Sequence, residues 1–446
     1  MKYFFLGIGG IGMSALARYL KRRGDFVCGY DRTESKLTHA LEQEGIAVHY
    51  TDDPTLIPSD IDCAVYTPAI PQTMEEWQHI QTLGIPVKKR SELLGELTHG
   101  KKCIAVAGSH GKTSTTSMIA HLLNKSSIGC SAFLGGISKN LESNMLYNEK
   151  SEYVVVEADE YDRSFLQLRP YISIITATDP DHLDVYGTYE NMLNAFTEYA
   201  NQTTADGKLI LKQGLPIAKE LERPYSTYTG NGIECDYYPW NVRNYNGNIF
   251  FDLRTPKGVI YDIELPNSCP YNVENAVAAA AAAIMCGLNE YELRNGFKTY
   301  RGVDRRFDYR INRKGLVFID DYAHHPEEIS TVLSSIKYLF PNKRVVGVFQ
   351  PHLYSRTAHF ADQFAKALEP LDEIILLDIY PAREKPIPGV TSHMILHKID
   401  KMSKYLCSKE QLMDIIPALY PDVLVTLGAG DIDRLVPEIE KIMTEE

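Results

Sequence analysis

The sequence predicts an α/β protein of three successive domains, with a Rossmann-like sheet at each end and a mixed sheet between them. Three observations carry this. Short apolar runs alternate with amphipathic helical stretches through most of the chain, the pattern of parallel strands joined by crossover helices. Glycine-bearing turns follow the strands at 3–7 and 103–107 and lead into helices. Residues 206–266 change character, to short β-rich runs with turn signals at Asn246-Gly247 and Lys257-Gly258, which predicts antiparallel strands there. The expected domains are 1–100, 101–306 and 307–446, and 446 residues is ample length for them.

The elements follow in order. Residues 3–7 read as a strand, 14–23 as a helix closed by Gly24, 26–30 as a strand ending at Asp31, and 61–66 as a later strand running into Thr67. In the second block, the strand 103–107 precedes Gly108-Ser109-His110-Gly111-Lys112-Thr113-Ser114. A helix over 114–123 follows, with Met118, Ile119, Leu122 and Leu123 on it. The strand 153–156 runs into Glu157-Ala158-Asp159-Glu160-Tyr161-Asp162, and the strand 172–176 leads to Asp179-Pro180-Asp181-His182. Residues 272–285 form an alanine-rich helix suited to close packing, ended by Gly287. The third block has strands at 317–319, 345–349, 374–377 and 423–427.

Composition narrows the function. A net charge of −12 argues against a general nucleic-acid binder, so anionic ligands must be met by local glycine loops and a few arginines. No apolar run has the length of a membrane span, and the glycine-broken N-terminus lacks the basic start of a signal peptide. Eight scattered cysteines without a C-x-x-C pair fit reduced thiols in a cytoplasm. A monomer or weak homodimer is expected.

The segment 108–114 has the order of a phosphate cradle: a glycine loop, a lysine, a hydroxyl residue, a helix start. Loop and helix N–H groups would point at the anion, Lys112 would reach the β/γ-phosphates, and Thr113 would place its hydroxyl on Mg²⁺. Val106 stands where a full Walker A has glycine, so an ordinary strand–turn–helix corner is the competing reading. Gly7-Ile8-Gly9-Gly10-Ile11-Gly12 fits G-x-G-x-x-G, with Asp31 at the next strand's end placed for a ribose hydroxyl. A dinucleotide and a nucleotide-sugar diphosphate satisfy it equally. Glu157 and His182 stand at the carboxyl ends of strands, on the edge that faces a ligand crevice. Glu157 suits Mg²⁺; His182 is either a further ligand or a hydrogen-bonded loop residue. Asp159, Glu160 and Asp162 read as solvated or positioning groups. Residues 320–326 offer titratable groups at a strand end, or partly a helix cap. Arg356 suits a carboxylate or is a surface arginine. Arg305 and Arg306 lie near a domain boundary, where they can approach a nucleotide.

These motifs, in this order, resemble the Mur ligase family, and within it the alanine-adding branch. The matching stretches are 7–14, 108–116, 157–162, 179–184, 272–275, 302–308, 320–326, 350–357 and 379–389. The resemblance implies an N-terminal UDP-sugar domain, a central ATPase domain of P-loop type and a C-terminal Rossmann-like domain that closes over the amino acid. It implies ATP and Mg²⁺, with UDP-N-acetylmuramate and L-alanine as substrates, and a reaction through an acyl phosphate. By it, Gly9, Gly10, Ile11, Gly12, Asp31 and Thr67 would meet the UDP-sugar. Gly108, Ser109, His110, Gly111, Lys112, Thr113 and Ser114 would hold ATP phosphate. Thr113, Glu157 and His182 would hold the metal. Asn272 and Asn275 would lie at the adenine, and Arg305 and Asp321 would contact ATP. Tyr322, His324, His352 and Arg356 would form the alanine pocket, with His324 a candidate for the amine proton. Leu353 stands where the family often has arginine, and Tyr271 where it usually has histidine. No lysine falls between Lys150 and Lys208, where later-acting siblings carry a carbamylated one. The alternatives are a ligase that joins a free tripeptide to the same UDP-sugar, an NAD-dependent dehydrogenase built on 7–12, and a non-enzymatic nucleotide-sugar sensor.

Overall fold

The computed structural model describes residues 1–245, 247–382 and 384–445, the side chains of Asp184 and Glu445 excepted. Asn246, in an expected turn, and Arg383, in the 379–389 stretch, lie outside the described residues.

The first sheet is parallel throughout, in the order Ala47–His49, Phe26–Tyr30, Lys2–Leu6, Cys63–Tyr66, Val87–Lys89. Phe4, Phe5 and Leu6 are consecutive and fully buried, so the central strand is covered on both faces, as crossover helices require. The first helix, Ile11–Arg23, ends at Gly24 in a left-handed cap (φ 99°), as its sequence predicts.

The second sheet has the order Ser226–Tyr228, Lys208–Lys212, Ile172–Ile175, Lys102–Ala107, Tyr153–Glu157, Ser131–Ser138, Ser143–Leu146. Only its last pair is antiparallel. This corrects the expectation of antiparallel strands for the first part of 206–266, residues 208–228. Lys208–Lys212 and Ser226–Tyr228 join the sheet as parallel strands. Leu209, Ile210 and Leu211 are buried in succession, and the helix Tyr189–Asn201 supplies the crossover a parallel partner needs. Tyr238–Tyr245, Asn248–Thr255 and Gly258–Leu265 form a separate three-stranded sheet in that order.

The chain divides into two compact units. One holds Met1–Arg243, Phe250–Pro266 and Asn272–Val303; the other is built mainly on residues 304–445. Within the first unit the two large sheets share one hydrophobic core, which runs from Phe5, Leu16 and Val65 to Val154, Ile175 and Phe196. The helix Ile11–Arg23 lies against the strands Ser131–Ser138 and Ser143–Leu146, with the Tyr19 and Phe133 rings 4.9 Å apart. A buried polar link pins this contact. Arg18 Nε donates to Glu44 at 2.8 Å and its Nη1 to Asn144 Oδ1, while Asn144 Nδ2 donates to Ser14 Oγ at 2.9 Å.

The sheet of the second unit has the order Asp308–Arg313, Leu316–Asp321, Val423–Leu427, Val345–Phe349, Glu373–Leu376, Lys404–Leu406, parallel except for its first pair. Phe318, Val348, Ile375 and Leu424 lie in its own core.

Gly95 shows how tightly the helix Arg90–Thr98 packs. A Cβ there would lie 2.6 Å from the Gln167 carbonyl oxygen. In an open helix, alanine for glycine gains about 1 kcal/mol. Here the collision is with backbone, and overpacking of this kind costs about 1–3 kcal/mol. Gly95→Ala is expected to lower stability in urea unfolding; a gain would mean that the turn at Gln167 yields.

Candidate active site

The carboxyl ends of the strands Lys102–Ala107, Tyr153–Glu157 and Ile172–Ile175 deliver three loops to one edge of the second sheet. The phosphate loop leaves the first of them. Gly108 is left-handed (φ 134°), and a Cβ on it would lie 2.2 Å from Thr176 Oγ1, so only glycine closes this turn. Ser109 Oγ donates to the Asp179 carbonyl at 2.8 Å, and Thr176 Oγ1 donates to the His110 carbonyl. His110 Nε2 lies 3.9 Å from Asp179 Oδ2. Gly111 caps the helix Lys112–Lys125 without a side-chain acceptor, leaving first-turn N–H groups available, with Thr113 and Ser114 in that turn. The helix starts two residues earlier than its apolar pattern predicts.

Lys112 Nζ donates to the Gly108 carbonyl and to Glu160 Oε1, each at 2.7 Å. Burial works against its charge, but Glu160, Glu157 and Asp159 outweigh it and hold the ammonium above its ordinary pKa. Glu160 is 2% exposed, which leaves the positioning reading and removes the solvated one. It is the charge partner of Lys112. Asp159 and Asp162 are paired at 3.0 Å with Arg90, at the start of the helix Arg90–Thr98, and with Lys89, at the end of the strand Val87–Lys89, as positioning groups would be.

Glu157 and Glu160 each keep one buried carboxylate oxygen without a hydrogen-bond partner among the described residues. The Glu157 carboxylate fits because it lies over Gly135 of the strand Ser131–Ser138, where a Cβ would collide with Oε2. Gly136 lies beside Thr113 in the same way, a built Cβ there falling 3.3 Å from Thr113 Cγ2. His182 is left-handed (φ 51°), with Nε2 3.9 Å from Glu160 Oε1 and 3.6 Å from Asp181. Among the described residues no three His, Cys, Asp or Glu side chains form a metal cluster. Asn275 Nδ2 donates to Asn272 Oδ1 at 2.9 Å, and its Oδ1 accepts from Thr115 at 3.3 Å.

In the first sheet, Asp31 Oδ2 accepts the Gly9 N–H at 2.8 Å and Oδ1 the Thr33 N–H at 3.1 Å. Its carboxylate therefore shapes the glycine loop. Gly10 caps the helix that follows, which begins at Ile11 and Gly12. Thr67 lies against Gly7, whose built Cβ would stand 3.0 Å from Thr67 Cγ2.

The second unit gathers its own set. Arg305 pairs with Asp320 at 3.3 Å, donates to the Gly428 carbonyl, and stacks on Tyr322. Asp321 is buried and accepts the N–H groups of Phe307 (2.6 Å) and Ala323 (2.8 Å). His324 Nδ1 lies 3.0 Å from the Tyr322 carbonyl, which can only accept, so Nδ1 carries the hydrogen and Nε2 the lone pair. Burial holds this imidazole below its ordinary pKa, with Arg356 and Arg306 adding to the effect against Glu328. The His352 ring lies 6.1 Å from that of His324 and stacks on Tyr380. Arg356 Nη1 is buried without a hydrogen-bond partner among the described residues. Leu353 precedes the helix Tyr354–Leu368 with φ 71°.

Sequence reasoning missed the pairing of Glu160 with Lys112, and missed Gly135 and Arg90 altogether. A glycine pair inside a strand, at 135–136, was the available signal for a close approach there. Nothing in the sequence marks Arg90.

Taken together, these features define an α/β protein built round a phosphate loop. Family models cover most of the chain: the catalytic domain of the Mur ligase family matches residues 2–102, the Mur ligase middle domain 106–283, and the Mur ligase glutamate ligase domain 305–430. The chain belongs to the Mur ligase family, whose members are ATP-dependent enzymes. It is 49% identical to the UDP-N-acetylmuramate–L-alanine ligase of Phocaeicola vulgatus, over 98% of this chain and 96% of that protein. It is 46% identical to the enzyme of the same name from Porphyromonas gingivalis, over 99% of both. Among solved structures, the UDP-N-acetylmuramate–alanine ligase of Thermotoga maritima superposes with a TM-score of 0.86 at 27% identity, covering both chains in full. A murein peptide ligase from Psychrobacter arcticus shares the fold, with a TM-score of 0.71 at 20% identity over 100% of this chain and 99% of that one. Among the described residues, no helix is long and apolar enough to cross a membrane.

Burial pushes the Asp321 carboxyl up to about 6, from 3.8 for a free side chain, against the pull of Arg306 and of the Phe307 and Ala323 N–H groups. Between those pH values the folded protein binds the extra proton. The group's contribution to stability is therefore complete below about pH 4, falls as pH rises, and is gone above about 6. Asp321→Asn, which cannot ionise, is expected to gain stability relative to the parent from pH 4 to 6 in urea unfolding. A difference constant across that window would refute the buried-acid assignment.

Proposed function

We propose that this chain is a UDP-N-acetylmuramate–L-alanine ligase acting in the cytoplasm in peptidoglycan precursor synthesis, as a monomer or weak homodimer. The observation that carries this is full-length identity of 46–49% to enzymes of that name, joined to a phosphate loop whose lysine is held among carboxylates. The expected domain roles are UDP-sugar binding in 1–100, ATP binding in 101–306 and amino-acid capture in 307–446. Murein peptide ligase, the tripeptide-joining alternative, matches in fold alone.

The lactyl carboxylate attacks the γ-phosphorus of ATP, and ADP leaves. The alanine amine then attacks the acyl carbon of the acyl phosphate, and phosphate leaves. Loop N–H groups of 108–114 bind the phosphates, and Lys112 exchanges the Gly108 carbonyl for a phosphate oxygen while Glu160 keeps its charge balanced. Asn272 and Asn275 lie on the adenine side, and Arg305 and Asp321 support the approach of ATP. Unpartnered carboxylate oxygens beside a phosphate loop suit a hard cation. Thr113, Glu157 and His182 would hold Mg²⁺, which when bound neutralises charge on the transferring phosphoryl group. In the alanine pocket the open Nη1 of Arg356 takes the carboxylate, between Tyr322 and His352. The Nε2 lone pair of His324 accepts the amine proton.

Purified protein with ATP and Mg²⁺ is expected to release phosphate only when UDP-N-acetylmuramate is present, and most with L-alanine, the product confirmed by mass. Lys112→Ala should abolish turnover yet still bind the UDP-sugar. Turnover with tripeptide alone would move the chain to the other branch.

Arg356→Ala is expected to raise the KM for L-alanine tenfold or more, as loss of a charged hydrogen bond of about 1.5–3 kcal/mol implies, with the KM for ATP little changed. An unaltered alanine KM would remove Arg356 from the pocket.

A further inference from the structure

Arg90 stands where two loops of the first unit meet. On one side is the glycine loop. A Cβ on Gly12 would lie 3.0 Å from Arg90 Cδ and 3.1 Å from Nη1, so the missing side chain is what lets the guanidinium lie against the start of the helix Ile11–Arg23. On the other side is the acidic segment. Arg90 Nη2 donates to Asp159 Oδ2 at 3.0 Å, and Asp159 Oδ1 accepts the Tyr161 N–H at 3.1 Å. The Arg90 side chain is 21% exposed. Its donation to Asp159 uses one of the five N–H donors a guanidinium carries. Lys89, by contrast, is committed to Asp162.

We propose that Arg90 binds the diphosphate of the UDP-sugar and that Asp159 holds it in place. This rests on the function proposed above. The glycine loop offers N–H groups but no formal charge, and a chain of net charge −12 needs a local cation to receive a dianionic ligand. Arginine suits the task because its planar fork keeps Asp159 on one edge while presenting parallel donors to phosphate oxygens on another. Asp159 follows Glu157 by two residues and precedes Glu160, the partner of Lys112. The grip on the diphosphate is thereby tied to the segment that arranges the phosphoryl-transfer site. By reciprocity, UDP-sugar and ATP tighten each other's binding through this segment.

Calorimetric titration of the full-length protein tests this, with UDP-N-acetylmuramate, UDP and uridine as probes. For Arg90→Ala, the Kd for UDP-N-acetylmuramate and for UDP is expected to rise tenfold or more, and that for uridine to change less than twofold. In turnover, the KM for the UDP-sugar rises while kcat changes less than threefold. Arg90→Lys keeps the charge but loses the fork, and should recover part of the loss. It also serves as the test should Arg90→Ala fail to fold, with a Kd rise of threefold or more expected. Asp159→Asn should weaken UDP binding by a smaller factor. A purely structural bridge would lower the melting temperature and leave the UDP-to-uridine preference untouched, which would overturn the proposal. If the parent binds UDP-N-acetylmuramate and Arg90→Ala binds it equally well, the role of Arg90 alone is lost. If the parent does not bind it, the proposed function falls as well.

Discussion

The buried pair of Lys112 and Glu160 is the constraint on which the rest of the first unit depends. An ammonium that far from water is tolerable only beside a carboxylate with good geometry, and removing one partner of such a pair costs about 3–5 kcal/mol. Glu160 must therefore be brought under the phosphate loop, at the end of the neighbouring strand Tyr153–Glu157. That crowds Glu157, Asp159, Glu160 and Asp162 into six residues, and their mutual repulsion needs compensation. Lys89 and Arg90 supply it from the last strand and helix of the first sheet. The two sheets are joined by the same charge balance that keeps Lys112 ionised, and the shared core and the Arg18–Asn144 link hold them at that distance.

Polar groups in the second unit fall into two kinds. Asp320 and Asp321 are fully engaged, accepting from Arg305, Thr426, Phe307 and Ala323, so they shape the segment that enters the unit. Arg356 and His324 are different. Among the described residues, Arg356 Nη1 is buried without a hydrogen-bond partner, and His324, with Nδ1 on the Tyr322 carbonyl, keeps the lone pair of Nε2. A buried donor left open costs about 1–3 kcal/mol. Such groups persist where a ligand completes them, and the function proposed above gives them the alanine carboxylate and amine.

Much was legible in the residues. The glycine loops, Lys112, Thr113 and the strands that carry them are local features: a left-handed glycine, a helix start and an apolar run each declare themselves within a few residues. Glu157 and His182 were legible because parallel topology sends strand carboxyl ends to one edge. Asp31 was legible at the strand end beside the glycine loop, but not its hold on the Gly9 and Thr33 N–H groups, which depends on how the loop folds back. Residues 208–228 misled because a short apolar strand looks the same whether its partner runs parallel or antiparallel. The direction is set by the crossover helix Tyr189–Asn201, a matter of connection rather than composition.

By itself, the sequence determined the element types, the order of the motifs and hence the family, since these depend on spacing along the chain. Only the tertiary structure decided which charges pair. Arg90 meets Asp159 and Lys112 meets Glu160 across 69 and 48 residues. No local pattern encodes such a pairing, because Coulomb and desolvation energies depend on distance and burial in space, and these exist only once the sheets have packed.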